Sequence, residues 1–282
     1  MGHKVDTRAI GLDAGLSFMR WLTGAENLHY GLWDGLPVAA ENLGAAQAAY
    51  TEKLFSYLPQ GPLRILDIGG GAGETARKLI ALGHDLEIVV PSPFLASRCR
   101  QNAPEARVHQ CMFEDFPGAG GFDLCLFSES FQYIPHELAL KEAFGLLKPG
   151  GKVLIADCFR SEHYRGVQRS QTVGGGHRLS AMRETLATMG LTVEAEEDIT
   201  ESVAPSIDLE QGLFNVIGHA VCRVDEELKV KRRKTRWALA FAIRRMMSER
   251  RLFRLNERLN EQKRTAEVFC HFNRYMIFRL SK

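Results

Sequence analysis

The stretch Leu63-Arg64-Ile65-Leu66-Asp67-Ile68-Gly69-Gly70-Gly71-Ala72-Gly73 decides the fold. Its opening residues are branched and apolar, as in a buried strand, and the residues that follow over 74–82 read as a helix. Alternate glycines at 69, 71 and 73 let backbone amides approach a ligand. The helix N-terminus behind them favours negative charge. A dinucleotide loop of the form Gly-x-Gly-x-x-Gly needs a glycine where Glu74 stands. The pattern here is Asp-x-Gly-x-Gly-x-Gly instead.

Outward from this loop the chain alternates short apolar runs with helical stretches, which predicts a mainly parallel sheet covered by helices. Strands are expected over 86–90, closed by Pro91-Ser92-Pro93, and over 107–110 and 122–127. A helix over 137–147 stops at Lys148-Pro149-Gly150-Gly151, before a strand over 152–156. A polar loop (160–176), a helix (179–189) and a strand (191–196) come next. A long helical section then runs over about 209–267, and 272–280 reads as a returning edge strand. The expected organisation is a helical cap (1–60), a core (61–200), a helical lid insertion (201–267) and a last strand completing the sheet (268–282).

The glycine loop with Asp67 resembles the first motif of class I S-adenosylmethionine-dependent methyltransferases. Phe122-Asp123-Leu124 is similar to their fourth strand, and Leu146-Leu147-Lys148-Pro149-Gly150-Gly151-Lys152 to the turn before their fifth. Leu28-His29-Tyr30-Gly31-Leu32-Trp33 resembles a segment of the small-molecule members related to tocopherol and sarcosine methyltransferases. The resemblance implies an α/β, Rossmann-like, doubly wound sheet of seven strands, with the last antiparallel and helical additions at both ends. It also implies S-adenosyl-L-methionine as cofactor. Asp67, Gly69, Gly71 and Gly73 would hold the methionine half, Tyr30 would lie beside it, and Ser128 would touch it.

Two positions depart from the family. Val90 stands where an acid usually accepts from both ribose hydroxyls, leaving Ser92 to offer one hydroxyl. Met112 stands where an aspartate usually meets the adenine amino group. Glu114 is the substitute there, with Met112 and Phe113 flanking the purine.

Methyl transfer asks the protein to align donor and acceptor and, for a hydroxyl acceptor, to remove a proton. The residues placed for this after the fourth and fifth strands are Glu129, Tyr133 and His177, with His163 and Tyr164 behind them. Each has a plainer alternative: Glu129 as a helix cap, His177 as an exposed neighbour of one. If Phe18, Trp21, Tyr30, Trp33, Phe127, Phe131, Phe159 and Tyr164 converge at this edge, the acceptor is apolar or aromatic. Oxygen is the first choice of acceptor atom and carbon the second. Two other readings stand beside methyl transfer: a non-catalytic binding or scaffold protein, and a non-transferring enzyme that uses the cofactor only for its charge.

The 282 residues are 45% hydrophobic and 25% charged, which is ordinary for a folded chain. No apolar run is long enough to span a bilayer, and the first residues lack the pattern of a secretory signal. The 6 cysteines show no metal-ligand spacing, so reduced thiols, no metal and a cytoplasmic location are expected. The net charge of +2 hides a division, because 223–264 holds 15 Lys/Arg against 6 Asp/Glu, a balance of +9 that leaves −7 on the rest. A lid with solvated cations explains this segment. So does a surface, over 229–264, for an acidic partner such as a carrier protein bearing the acceptor, for an anionic membrane, or for an anionic substrate steered to the site. No nucleic-acid-binding motif accompanies the charge.

Overall fold

The computed structural model describes residues 7–164, 173 and 175–282. Helices α1 (Thr7–Thr23) and α2 (Leu43–Phe55) precede the sheet. The core then runs β1 (Arg64–Ile68), α3 (Glu74–Ala81), β2 (Asp85–Val89), α4 (Pro93–Asn102), β3 (Arg107–His109), β4 (Phe122–Ser128), α5 (His136–Leu146), β5 (Leu147–Arg160), α6 (Leu179–Thr188) and β6 (Thr192–Asp198). Five helices follow: α7 (Thr200–Val203), α8 (Pro205–Lys231), α9 (Arg233–Met246), α10 (Glu249–Asn260) and α11 (Ala266–Phe272). Strand β7 (Asn273–Ser281) ends the chain. Most of the loop read over 160–176 (165–172 and 174) lies outside the described residues, as do the first six of the chain.

The sheet has seven strands in the order β3-β2-β1-β4-β5-β7-β6. Strands β1 to β5 pair in parallel, and β7 runs antiparallel to both β5 and β6. Alternation along β1 sends Ile65 to one apolar layer, with Leu79, Ile88 and Leu124, and Leu66 to the other, with Phe127, Phe131 and Phe159. Because both faces are covered, the central strands are apolar almost throughout rather than alternating. The strand order reverses between β1 and β4, which opens a crevice at their carboxyl ends.

One expectation is corrected. The last strand is not at an edge, since β7 lies between β5 and β6 and buries the consecutive residues Tyr275, Met276, Ile277 and Phe278. An edge strand facing water on one side would not bury four successive side chains. The helical section expected over about 209–267 is present as successive helices, with α8 ending at Arg232, α9 at Met247 and α10 at Glu261, where the backbone turns extended or irregular.

The segment between α1 and α2 is tied to the helices that follow β6. Ser206 Oγ accepts from Gly31 N (3.0 Å) and Trp33 Nε1 (2.8 Å), and Trp33 N donates to Ser202 O (2.9 Å). All three residues at the Ser206 node are buried. Ser206→Ala leaves two buried donors without an acceptor, at a cost of about 1–3 kcal/mol each. The expected result is stability lowered by about 2–6 kcal/mol, read as a lower denaturant midpoint with the slope unchanged; an unaltered midpoint would show that this tie holds nothing.

Candidate active site

A cavity of about 820 Å³ opens at the carboxyl ends of β1, β2 and β4. Its floor is the glycine loop. Gly69 N donates to Val89 O (2.8 Å), and Gly69 adopts φ +79°, where a Cβ would overlap that of Ser130. Ser130 Oγ in turn donates to Ile68 O, which locks the end of β4 against the loop. Gly73 (φ +89°) caps α3 with a hypothetical Cβ only 3.0 Å from Cys99 Cα. The loop therefore has room for backbone on one side and for a ligand on the other.

Acceptors dominate the lining. Asp67 is 1% exposed, its Oδ2 has no hydrogen-bond partner, and burial pushes its carboxyl up to about 7. Asn27 Oδ1 and His29 Nε2 are likewise buried without partners. The His29 ring stacks on Tyr50 (4.5 Å between centroids), and its Nδ1 lies 2.8 Å from Tyr30 O. A carbonyl only accepts, so Nδ1 carries the proton and Nε2 presents a lone pair. Burial holds this imidazole down at about 4, neutral at physiological pH. Five acids line the cavity (Glu26, Asp67, Glu74, Glu114 and Glu129), with no Lys or Arg among the described lining residues. Glu26 is already answered by Arg98 and Glu74 by Arg77, so the site suits a ligand that brings donors and, toward Asp67, Glu114 and Glu129, positive charge. It does not suit a pyrophosphate.

Glu129 sits just past β4 with φ +56°, a conformation that costs a non-glycine residue energy. Its Oε1 accepts from Tyr30 N (2.9 Å) and Tyr275 OH (2.9 Å), and burial, opposed by these bonds, raises the carboxyl to about 7. Because Tyr275 donates to Glu129, the remaining bonds run in one direction. Tyr50 OH donates to Tyr275 OH (2.7 Å), and Ser128 Oγ to Tyr50 OH (3.3 Å). Beneath this chain Asp157, fully buried, accepts from Gln132 N (3.0 Å) and from its own neighbour Cys158 N (2.6 Å), and burial raises it to about 8.

The fold brings Asp67, Gly69, Gly71, Ser92, Phe113, Glu114, Ser128, Glu129 and Tyr133 to the wall of one cavity. Tyr133 is at the mouth and largely exposed. Ser92 caps α4, accepting from Leu95 N (3.3 Å), which leaves its hydroxyl proton free to donate. Val90 and Met112 also line the wall, and Glu87, the nearest acid along that strand, is engaged by Arg64, Arg107 and His109 and so does not take Val90's place.

Three of the residues named from sequence stand elsewhere. The Tyr30 ring packs on Phe269 and Tyr275, while Gly73 lies behind the loop. His177 Nε2 donates to Ile134 O (2.8 Å), pinning the turn that carries Tyr133. Nor do the eight aromatics converge. Phe127, Phe131 and Phe159 are core, Trp33 bonds Ser206, Trp21 faces solvent and Tyr164 stacks on Arg160. Asn27, His29 and Glu26 were not legible as site residues. The only signal was His29's place beside Tyr30 in the quoted segment.

Residues 65–151 match the family model of a methyltransferase domain. This stretch is a methyltransferase domain. Around it, the chain is similar to an uncharacterized methyltransferase of Mycobacterium tuberculosis, 26% identical over 121 residues, which are 40% of this chain and 50% of the relative. The chain thus spans about half the length of the curated relatives it matches. In fold it is similar over 96% of its length to a cyclopropane synthase of M. tuberculosis (95% of that chain, TM-score 0.69, 19% identity). It is also similar over 99% to a geranyl diphosphate C-methyltransferase of Streptomyces coelicolor (99% of that chain, TM-score 0.64, 15% identity). The matched stretch holds β1 to β4 with the glycine loop and the carboxyl ends of those strands, while most of β5 and all of β6 and β7 lie outside it. Among the described residues no helix is long and apolar enough to cross a membrane, and no group of His, Cys, Asp or Glu is suited to hold a metal.

Asp67, Glu129 and Asp157, pushed by burial to about 7, 7 and 8, bind more protons folded than unfolded. Their contribution is full at and below about pH 4 and is lost as pH rises through 7–8, at up to about 1.4 kcal/mol per pH unit for each group. The paired acids held below their ordinary range, such as Glu26 and Glu87, act only at lower pH. The melting temperature of the ligand-free protein should therefore fall between pH 5 and 8, and Asp67→Asn should flatten the fall. Calorimetry at constant ionic strength checks this; a rising or flat wild-type profile would contradict it.

Proposed function

We propose that this chain binds S-adenosyl-L-methionine in the β1/β2/β4 cavity and transfers its methyl group to an uncharged, apolar small molecule, with oxygen as the first acceptor atom; the aromatic acceptor loses its support because the aromatics do not converge. The observation that carries the reading is the acid-only lining, with unpartnered acceptors at Asn27, His29 and Asp67. A sulfonium and an ammonium group meet these needs together. The cofactor, when bound, supplies an electrophilic methyl group.

The chain's own residues then have separate tasks. The 69–71 backbone and Asp67 hold the methionine half, and His29 Nε2 and Asn27 Oδ1 accept from its donors. Phe113 and Met112 flank the purine, Glu114 meets its amino group, and Ser92 serves the ribose that Val90 cannot. A missing bond to a charged group costs about 1.5–3 kcal/mol, so the acceptors of the methionine half must compensate. Glu129, near neutrality and on the cavity wall, is positioned to take the proton of a hydroxyl acceptor. Its bonds from Tyr30 N and Tyr275 OH keep one oxygen occupied. Tyr133 is the polar contact at the mouth, and His177 acts by holding the turn beneath it. The folds this one is similar to include a C-methyltransferase of a diphosphate-bearing isoprenoid. A diphosphate finds no cation among the described lining residues here, which favours an uncharged acceptor.

Calorimetric titration should give micromolar binding of S-adenosylmethionine, and Gly71→Arg should abolish it by filling the loop's open side. No binding by the wild type removes the proposal. With an acceptor found through transfer of isotope-labelled methyl, kcat should rise with pH through about 7 as Glu129 ionises. Glu129→Gln should lower it by a factor of about 10²–10⁴ and erase that limb while leaving cofactor affinity within a few-fold. A variant that keeps the limb would assign the proton to another group.

A further inference from the structure

Helix α9 stands apart from the fold that carries it. The root of the insertion is built tightly. Glu210 pairs with Arg258 and Arg264, Gln211 Nε2 donates to Arg258 O (3.0 Å), and Gly218 lies where a Cβ would overlap Leu259 O. Beyond that root, α9 packs on α8 alone among the elements it touches substantially, and no residue of α9 is buried.

The helix has two sides. Arg236 bonds Asp225 of α8 (2.7 Å), which turns the 236–239–243 side toward α8, where Leu239 and Ile243 are 48% and 46% exposed. On the opposite side, at the spacing of one helical turn, Trp237 and Phe241 stack with centroids 5.8 Å apart. They are 71% and 60% exposed. Arg233, Lys234, Arg244 and Arg245 project on the same side, and α9 contains no acid to answer them.

We infer that this face of α9 seats the protein on an anionic lipid bilayer. Stacked aromatic rings interleaved with long cationic side chains suit the boundary between acyl chains and headgroups, where the rings enter and the cations stay at the phosphates. A soluble polyanion would use the cations and leave Trp237 and Phe241 in water. A second copy of this chain would have to cover the same aromatic pair without bringing like charge against it. The bilayer meets both demands on one side of one helix, and each Lys or Arg held near an anionic surface tightens binding about five-fold.

Flotation of the full chain with vesicles of phosphatidylcholine containing about a third phosphatidylglycerol, against phosphatidylcholine alone, tests this at about 0.1 M salt. Recovery with the anionic vesicles and not the neutral ones is expected. Arg244→Gln with Arg245→Gln should weaken it by about 25-fold. Trp237→Ala with Phe241→Ala should lose at least ten-fold with the charge unchanged. Because these side chains are exposed, melting temperatures should stay near the wild type's, which separates lost docking from lost folding. Three outcomes overturn the inference: no recovery on anionic vesicles, full binding by the aromatic double variant, or a concentration-dependent dimer in sedimentation that the aromatic variant dissociates.

Discussion

The carboxylate of Glu129 accepts the amide proton of Tyr30 and the hydroxyl proton of Tyr275, and much of the molecule hangs on those two bonds. Tyr30 belongs to the segment before the sheet, Glu129 to the end of β4, and Tyr275 to the last strand. Through Tyr275 the chain of hydroxyls continues to Tyr50 of α2 and back to Ser128. Parts of the sequence separated by well over a hundred residues are thereby held at one carboxyl group. The cost is a non-glycine residue at φ +56° and a carboxyl forced toward neutrality by burial. Strain and a raised pKa at the same residue are what a structure tolerates where position matters more than stability.

Charge is divided to match. The cavity wall is acidic, with Asp67, Glu26, Glu74, Glu114 and Glu129 and no cation among its described residues, while the excess of Lys and Arg lies over 223–264. Inside, unpartnered acceptors at Asn27, His29 and Asp67 await donors. Outside, cations surround exposed rings on α9. The two features suit different partners, the first a small cationic ligand and the second an anionic surface. The buried carboxyls also make the ligand-free protein less stable as pH rises, which a bound cation would offset.

Much of the site was legible because it is local. Asp67, Gly69 and Gly71 follow one another along the chain, so strand, turn and helix start can be read from spacing alone. Ser128, Glu129 and Tyr133 follow from the rule that loops at the carboxyl ends of strands line the crevice. His29 was not legible as a lone-pair donor, because its role depends on Tyr50 stacking over it and on Tyr30 O holding its other nitrogen. His177 was misplaced for the converse reason. An imidazole beside a glycine-rich loop invites a catalytic reading, but Ile134 O occupies it.

The resemblance to a family implied the antiparallel last strand and marked Val90 as a departure, while the amino-acid sequence by itself determined the alternation of strand and helix and the glycine loop. These rest on short-range periodicity and on backbone freedom, which neighbouring residues express without help. Only the tertiary structure decided that β7 lies inside the sheet, that Tyr30 turns from the cavity while His29 enters it, and that Glu129 joins three distant segments. Those outcomes depend on which side chains remain buried without partners after packing, and residues far apart in the chain set that together.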